Sequence, residues 1–114
     1  MPSPKVLINV FEVSAGKEDE FIAWWKRCTE VLKKEPGFVD AELHQNLTPG
    51  ARFQFINVAH WETEELLERA RSRHRHTLHL AETIGKSNPA IYKGILRLSF
   101  VPDTGSEPLK TRDL

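Results

Sequence analysis

The sequence predicts an α+β domain of order βαββαβ: one antiparallel sheet with its helices on one face, the ferredoxin-like arrangement. Three observations carry this. Four runs rich in β-branched and aromatic residues alternate with two stretches of helical periodicity. Turn-forming clusters fall between them, at Ser14-Ala15-Gly16, Pro36-Gly37 and Thr48-Pro49-Gly50. The 114-residue length, with 39% hydrophobic and 28% charged residues, suits one globular domain and argues against disorder.

Lys5–Val13 reads as the first strand, with Val6, Ile8 and Val10 on one face and Leu7, Asn9, Phe11 and Val13 on the other. Lys17–Glu35 reads as a helix. Phe21, Trp24, Trp25, Cys28, Val31 and Leu32 recur at helical spacing, acidic residues open it, basic residues gather near its end, and Ser14 or Gly16 is placed to cap it. Phe38–Leu47 and Ala51–Trp61 read as a hairpin with a short loop. On the third strand Phe53, Phe55, Asn57, Ala59 and Trp61 share a face, and Gln54, Ile56, Val58 and His60 share the opposite one. Glu62–Ser72 is predicted as a helix with Leu66, Leu67 and Ala70 inward, continuing after a kink over His74–Ile84. Gly85–Pro89 reads as a breaker and Ala90–Val101 as the fourth strand, with Tyr92, Leu96, Leu98 and Phe100 on one face. The domain thus spans residues 1–101, and 102–114 form a Pro/Gly/Ser-rich charged tail.

Helices cover only one face of such a sheet, yet Ile8, Val10, Ile56, Val58, Ile91 and Ile95 make the other face apolar too. An exposed apolar sheet of that size is unusual in a monomer, so the expectation is a homodimer with two sheets packed face to face. Sixteen basic residues balance sixteen acidic ones. This removes both the usual reason to expect nucleic-acid binding and the self-repulsion that keeps chains apart. The single Cys28 excludes a disulfide framework and reads as a packing residue. The N-terminus shows no charged leader before an apolar run, and no stretch approaches 18 apolar residues. The expected location is cytoplasmic, with no membrane contact.

No phosphate loop, GxSxG, HExxH or CxxC is present, so flavin, nicotinamide and metal chemistry lack sequence support. The anomaly is a pair of strand asparagines. Asn is depleted in strand interiors, and a buried amide with unmet hydrogen bonds costs about 1–3 kcal/mol. Asn9 and Asn57 share faces with Leu, Phe, Val, Ala and Trp on strands that are neighbours in this topology. If both faces look toward the helices, the two amides and Trp61 line one cavity. There the amides either satisfy each other or a backbone group, or donate to substrate oxygens in an apolar pocket.

Leu7-Ile8-Asn9-Val10-Phe11 before Gly16, Pro36-Gly37-Phe38-Val39, and above all Phe55-Ile56-Asn57-Val58-Ala59-His60-Trp61-Glu62 resemble the antibiotic biosynthesis monooxygenase family over roughly residues 5–101. The resemblance implies a dimeric α+β barrel. It is nearest the branch of cofactor-independent monooxygenases that oxidise anthrone-type polyketides to quinones, in which residues matching Asn9, Asn57 and Trp61 line the active site. It implies these three as catalytic residues, and Phe11, Phe55, Trp25, Leu67 and Arg75 are expected as substrate contacts. It also implies O₂ as co-substrate with no cofactor, and a small aromatic or hydrophobic partner. Leu67 stands where some quinone-forming relatives carry Tyr. Haem-degrading members of the superfamily share the first-strand Asn and use a haem-ligand His in the second helical region. Here that ligand would be His74, His76 or His79, while the Trp of those proteins falls near Ala70. Haem binding and a non-catalytic dimer that binds a hydrophobic molecule therefore stand as alternatives, as does an isomerase acting on a small phosphorylated sugar-like molecule. The basic run Arg69–His76, with Arg71, Arg73 and Arg75, complements the dipole of its helix or guides an anionic substrate. His44 and His60 lie on strand faces away from Asn57 and are expected outside the pocket.

Overall fold

The computed structural model describes residues 3–100. Its elements are β1 (Lys5–Val13), α1 (Glu18–Leu32), β2 (Phe38–Gln45), β3 (Phe55–Trp61), α2 (Glu64–Arg73), a single turn α3 (Arg75–Leu78) and β4 (Gly85–Tyr92). The strands form one antiparallel sheet of order β2-β3-β1-β4, which is the expected ferredoxin-like topology. In the β1–β3 register Asn9 faces Asn57 directly, flanked by Leu7 opposite Ala59 and Phe11 opposite Phe55.

Acidic Glu18, Asp19 and Glu20 open α1, but its N-cap position is Lys17, which offers no side-chain cap. The helix ends at Leu32, so Lys33 and Lys34 lie past it rather than in its last turn. At Thr63 a side-chain oxygen accepts from the Leu66 N–H at 3.1 Å and caps α2. The β2–β3 connection is longer than expected, because both strands stop short of the turn. Asn46 closes the loop, accepting from the Thr48 N–H at 2.8 Å and donating to the Phe53 carbonyl at 3.1 Å. Phe53 therefore lies outside β3, beneath the Arg52 guanidinium.

Two expectations fail in the last third of the chain. The helix expected over His74–Ile84 is only the turn Arg75–Leu78. Trp24 Nε1 donates to the His79 carbonyl at 3.0 Å and Cys28 Sγ to the Thr77 carbonyl at 3.5 Å, so α1 takes the backbone groups that a longer helix would use. The fourth strand occupies Gly85–Tyr92, not Ala90–Val101. The Gly85 backbone packs against the Glu12 carbonyl too closely for a side chain, and Pro89 is tolerated because β4 is an edge strand. The supposed breaker is thus the first half of the strand. Residues 93–100 hold no strand, and Ile95, Leu96 and Leu98 are exposed. Val101 and the expected tail 102–114 lie outside the described residues.

The helix-facing side of the sheet carries two apolar clusters. Phe11, Val13, Phe21, Trp24, Cys28 and Phe55 form one, with Phe11 edge-on to Phe21 at 4.7 Å. Ala59, Trp61, Leu67 and Ala70 form the other, with Phe38 edge-on to Trp61 at 5.3 Å. Among the described residues no element covers the opposite side. It presents Val6, Ile8, Val10, Ile56 and Val58, joined by Ala90 and Tyr92 of β4. Ile91 does not belong there. It pairs with Leu7 and packs on the helix side, because β4 begins five residues earlier than expected.

Candidate functional site

The two apolar clusters do not merge. Between them lies a cavity of about 160 Å³ with a predominantly apolar wall. Phe11, Trp24 and Cys28 bound it from one cluster, and Ala59, Trp61 and Leu67 from the other. The sheet forms its floor, where Asn9 and Asn57 sit side by side as opposed residues of adjacent strands. Opposed Cβ atoms in such a pair are about 4.5–5.5 Å apart, so the two amides reach the same small volume.

Each amide is tied by its oxygen. Trp25 Nε1 donates to Asn57 Oδ1 at 2.9 Å. The backbone N–H of Asn88 donates to Asn9 Oδ1 at 2.8 Å, while the Asn88 side-chain amide donates to the Val10 carbonyl at 3.0 Å. Among the described residues neither Asn9 Nδ2 nor Asn57 Nδ2 has a protein partner, and neither is a sealed, unsatisfied atom. The amides do not bond each other, so mutual satisfaction is not why they are there.

Among the described lining residues only Cys28 and Arg71 carry ionisable side chains. Burial pushes the Cys28 thiol up to about 12, against a small opposing effect of Arg27. Arg71 lines the wall and bonds Glu68 at 2.9 Å. Among the described residues no His, Asp, Glu or Lys lines the cavity. His60 and His44 lie on the uncovered sheet side, paired with Asp40 at 2.6 Å and Glu42 at 3.4 Å.

Asn9, Asn57, Trp61, Phe11, Trp25 and Leu67 therefore share one cavity wall, while Phe55 and Arg75 do not. Phe55 packs on Phe21 at 4.9 Å, because β3 begins there and its first side chain falls inside the core beyond the cavity. Arg75 faces an open groove with His76 and His79. It would share a helix face with Leu67 and Arg71 if α2 continued, but the helix stops at Arg73. Arg73 and His74 are both bound to Glu35, at 2.9 Å each. Of the basic cluster only Arg71 reaches the cavity. Sequence reasoning missed Thr29, Ser87 and Pro89 as lining residues. Thr29 was detectable from its i, i+4 spacing to Trp25; the other two were hidden by the misplaced β4.

None of His74, His76 and His79 lines the cavity, so the described residues offer no axial imidazole to a haem held there. Among the described residues there is also no cluster of three His, Cys, Asp or Glu side chains placed for a metal ion. No described helix is long and apolar enough to cross a membrane.

The model of the family described as antibiotic biosynthesis monooxygenase matches residues 4–82. Among solved structures, a protein of Shewanella loihica PV-4, described provisionally as a monooxygenase, is 34% identical. The match covers 85% of this chain and 99% of that one, with a TM-score of 0.75. SnoaB, a cofactor-independent oxygenase from Streptomyces nogalater, is 20% identical over 84% of this chain and 97% of its own, with a TM-score of 0.67. The haem-degrader MhuD from Mycobacterium tuberculosis is 24% identical over 84% of this chain and 100% of its own, with a TM-score of 0.62. The last two establish likeness of fold. No curated protein sequence matches the chain.

Proposed function

We propose, for a chain that belongs to the antibiotic biosynthesis monooxygenase family, a cofactor-independent monooxygenase acting on a small, acidic aromatic substrate with O₂. The observation that carries this reading is the convergence of two free amide donors and the Trp61 indole in one apolar cavity. An electron-rich phenol or enol becomes reactive toward O₂ once deprotonated. Preorganised donors in a dry site favour the anion, and a single such donor is worth about 2.7–4 kcal/mol where charge develops on oxygen. Arg71 adds positive charge at the wall, and the Trp61 ring offers a packing surface. Among the described lining residues there is no carboxylate, imidazole or amine, so this reading has the proton leave to solvent from a substrate acidic in its own right.

Size narrows the substrate class. An apolar cavity of about 150 Å³ accepts a single benzene ring. At about 160 Å³ the cavity encloses little more than one ring, so a second fused ring would reach beyond it, and the three-ring anthrones that the sequence resemblance suggests exceed it further. For a dihydroxynaphthalene the overall change is ring C–H and O–H plus O₂ giving a ring quinone and water. One oxygen atom enters the ring and the other leaves as water, with the substrate supplying all four electrons. The mostly apolar wall, reached by one arginine rather than three, disfavours the isomerase of a phosphorylated sugar-like molecule.

The uncovered sheet side supports a homodimer closed through Val6, Ile8, Val10, Ile56 and Val58. The proposed activity is tested by oxygen-electrode assays on naphthalene-1,3-diol, with hydroxyanthrone as the larger comparison. Asn57→Ala is expected to lower turnover at least about tenfold. Unchanged turnover removes Asn57 from the mechanism, and a Soret band on adding haemin would favour the haem reading instead.

A further inference from the structure

Asn9 and Asn57 are each amphoteric: an amide can accept through oxygen or donate through nitrogen, and a half-turn about its terminal torsion exchanges the two. The cavity they floor could therefore recognise ligands of either polarity unless something fixes the amides. Two contacts do so, and neither partner's donor can become an acceptor. An indole nitrogen only donates, and Trp25 Nε1 holds Asn57 Oδ1 at 2.9 Å. A backbone N–H only donates, and that of Asn88 holds Asn9 Oδ1 at 2.8 Å. The Asn88 contact is itself anchored, because the Asn88 side chain bonds the Val10 carbonyl at 3.0 Å and clamps β4 to β1 at that residue. Flipping either Asn would set amide N–H against N–H and lose the bond.

We propose that Trp25 and Asn88 are positioning residues that make the cavity a donor-only site, so that it selects ligands carrying two acceptor oxygens on one edge of a planar ring and rejects those carrying N–H or O–H donors there. This deepens the proposed function and rests on the same cavity. The chemistry it assigns is a keto-enolate edge. Two oxygens share one negative charge, each meets one Nδ2, and the spacing of directly opposed strand residues sets their separation. A ligand that must donate instead leaves both its own groups and the two amide nitrogens unpaired, the strongest form of rejection open to a buried polar site. Trp25 thus has a second task beside forming wall. Its ring is replaceable by another aromatic of similar shape, but its N–H is not.

The test uses two ligands of the same bicyclic shape and opposite edge polarity: indane-1,3-dione, as its enolate, and 1,3-diiminoisoindoline. Calorimetric affinities are measured at pH 8 on the wild-type chain and on Trp25→Phe, which keeps an aromatic wall and removes the donor. The wild-type chain is expected to bind the dione at least tenfold more tightly than the diimine. In Trp25→Phe that ratio is expected to fall at least fivefold, mainly through weaker dione binding. Asn57→Asp provides a second, independent measure, since it replaces the donor with an acceptor in the same shape. It is expected to shift preference toward the diimine whether or not Trp25→Phe folds. A ratio that stays within twofold of wild type in both variants overturns the proposal and leaves Trp25 as wall alone. Aerobic oxidation of naphthalene-1,3-diol, whose two oxygens lie on one edge, separates this outcome from failure of the proposed activity. Polarity selection without turnover refutes the oxygenase and keeps the donor-only site; turnover without polarity selection does the reverse.

Discussion

Cys28 lies one helical turn beyond Trp24, in the cavity wall, with its thiol turned to the Thr77 carbonyl. Burial pushes its pKa up to about 12, so at neutral pH it is a thiol and not a nucleophile. The expected result is negligible alkylation of the native chain by iodoacetamide at pH 8 and prompt alkylation in denaturant. A native rate within about tenfold of a free peptide cysteine would contradict this burial. At the same scale Asn9 and Asn57 were legible in the sequence, because a polar amide among strand aliphatics violates the ordinary preference and asks for a reason. What their atoms do was not legible. The Trp25 bond joins residues 32 positions apart and the Asn88 bond residues 79 apart, and no local pattern encodes which face of an amide a distant donor will choose.

Among the elements, α2 docks against the α1–β2 turn through two devices. Gly37 adopts φ +90°, and a side chain there would place its Cβ 2.6 Å from Leu66 Cδ1. Gly37→Ala is expected to cost about 1–3 kcal/mol in urea unfolding, from both left-handed backbone and the clash. Adding Leu66→Ala removes the Cδ1 contact but keeps Leu66 Cβ, which lies 2.7 Å away, so most of the loss should remain; equal midpoints for wild type and Gly37→Ala would refute the close approach. The second device is Glu35, whose carboxylate takes bonds from Arg73 and His74. The His74 hydrogen bond, followed by the Arg73 charge, holds Glu35 below the usual carboxylate range against some desolvation. A depressed folded pKa stabilises above the unfolded value, and that contribution is lost as pH falls through the folded one. The wild type should therefore melt above Glu35→Gln at pH 6, with the difference closing as pH falls below about 4. A difference independent of pH would refute the linkage. These junctions also explain why the β4 and α3 boundaries escaped sequence reading. Gly85 and Pro89 signal a turn by composition, but edge position and close backbone approach make them strand. Helical periodicity after His74 is overruled by the claims of Trp24 and Cys28 on backbone carbonyls.

At the scale of the whole fold, the described helices all lie on one side of the sheet. Val6, Ile8, Val10, Ile56 and Val58 form an apolar stripe on the other, bordered by the Asp40–His60 and Glu42–His44 pairs. If two copies close over this stripe, Val58→Asp sets like charges against each other at its centre. The variant is expected to sediment at half the mass of a wild-type dimer at micromolar concentration, with its helix content retained. Wild-type sedimentation at the single-chain mass of 13.1 kDa would end the dimer proposal.

The sequence by itself determined the βαββαβ order, the faces of the first three strands and the two asparagines, because period-two and period-3.6 patterns are local consequences of side-chain geometry. Tertiary structure alone decided that the apolar clusters leave a cavity between them. It also decided that Arg71 rather than Arg75 reaches it, and that both amide oxygens are taken by distant donors. Each of those outcomes depends on where an element stops or which distant donor claims an oxygen, and such competition is settled only when the whole chain has packed.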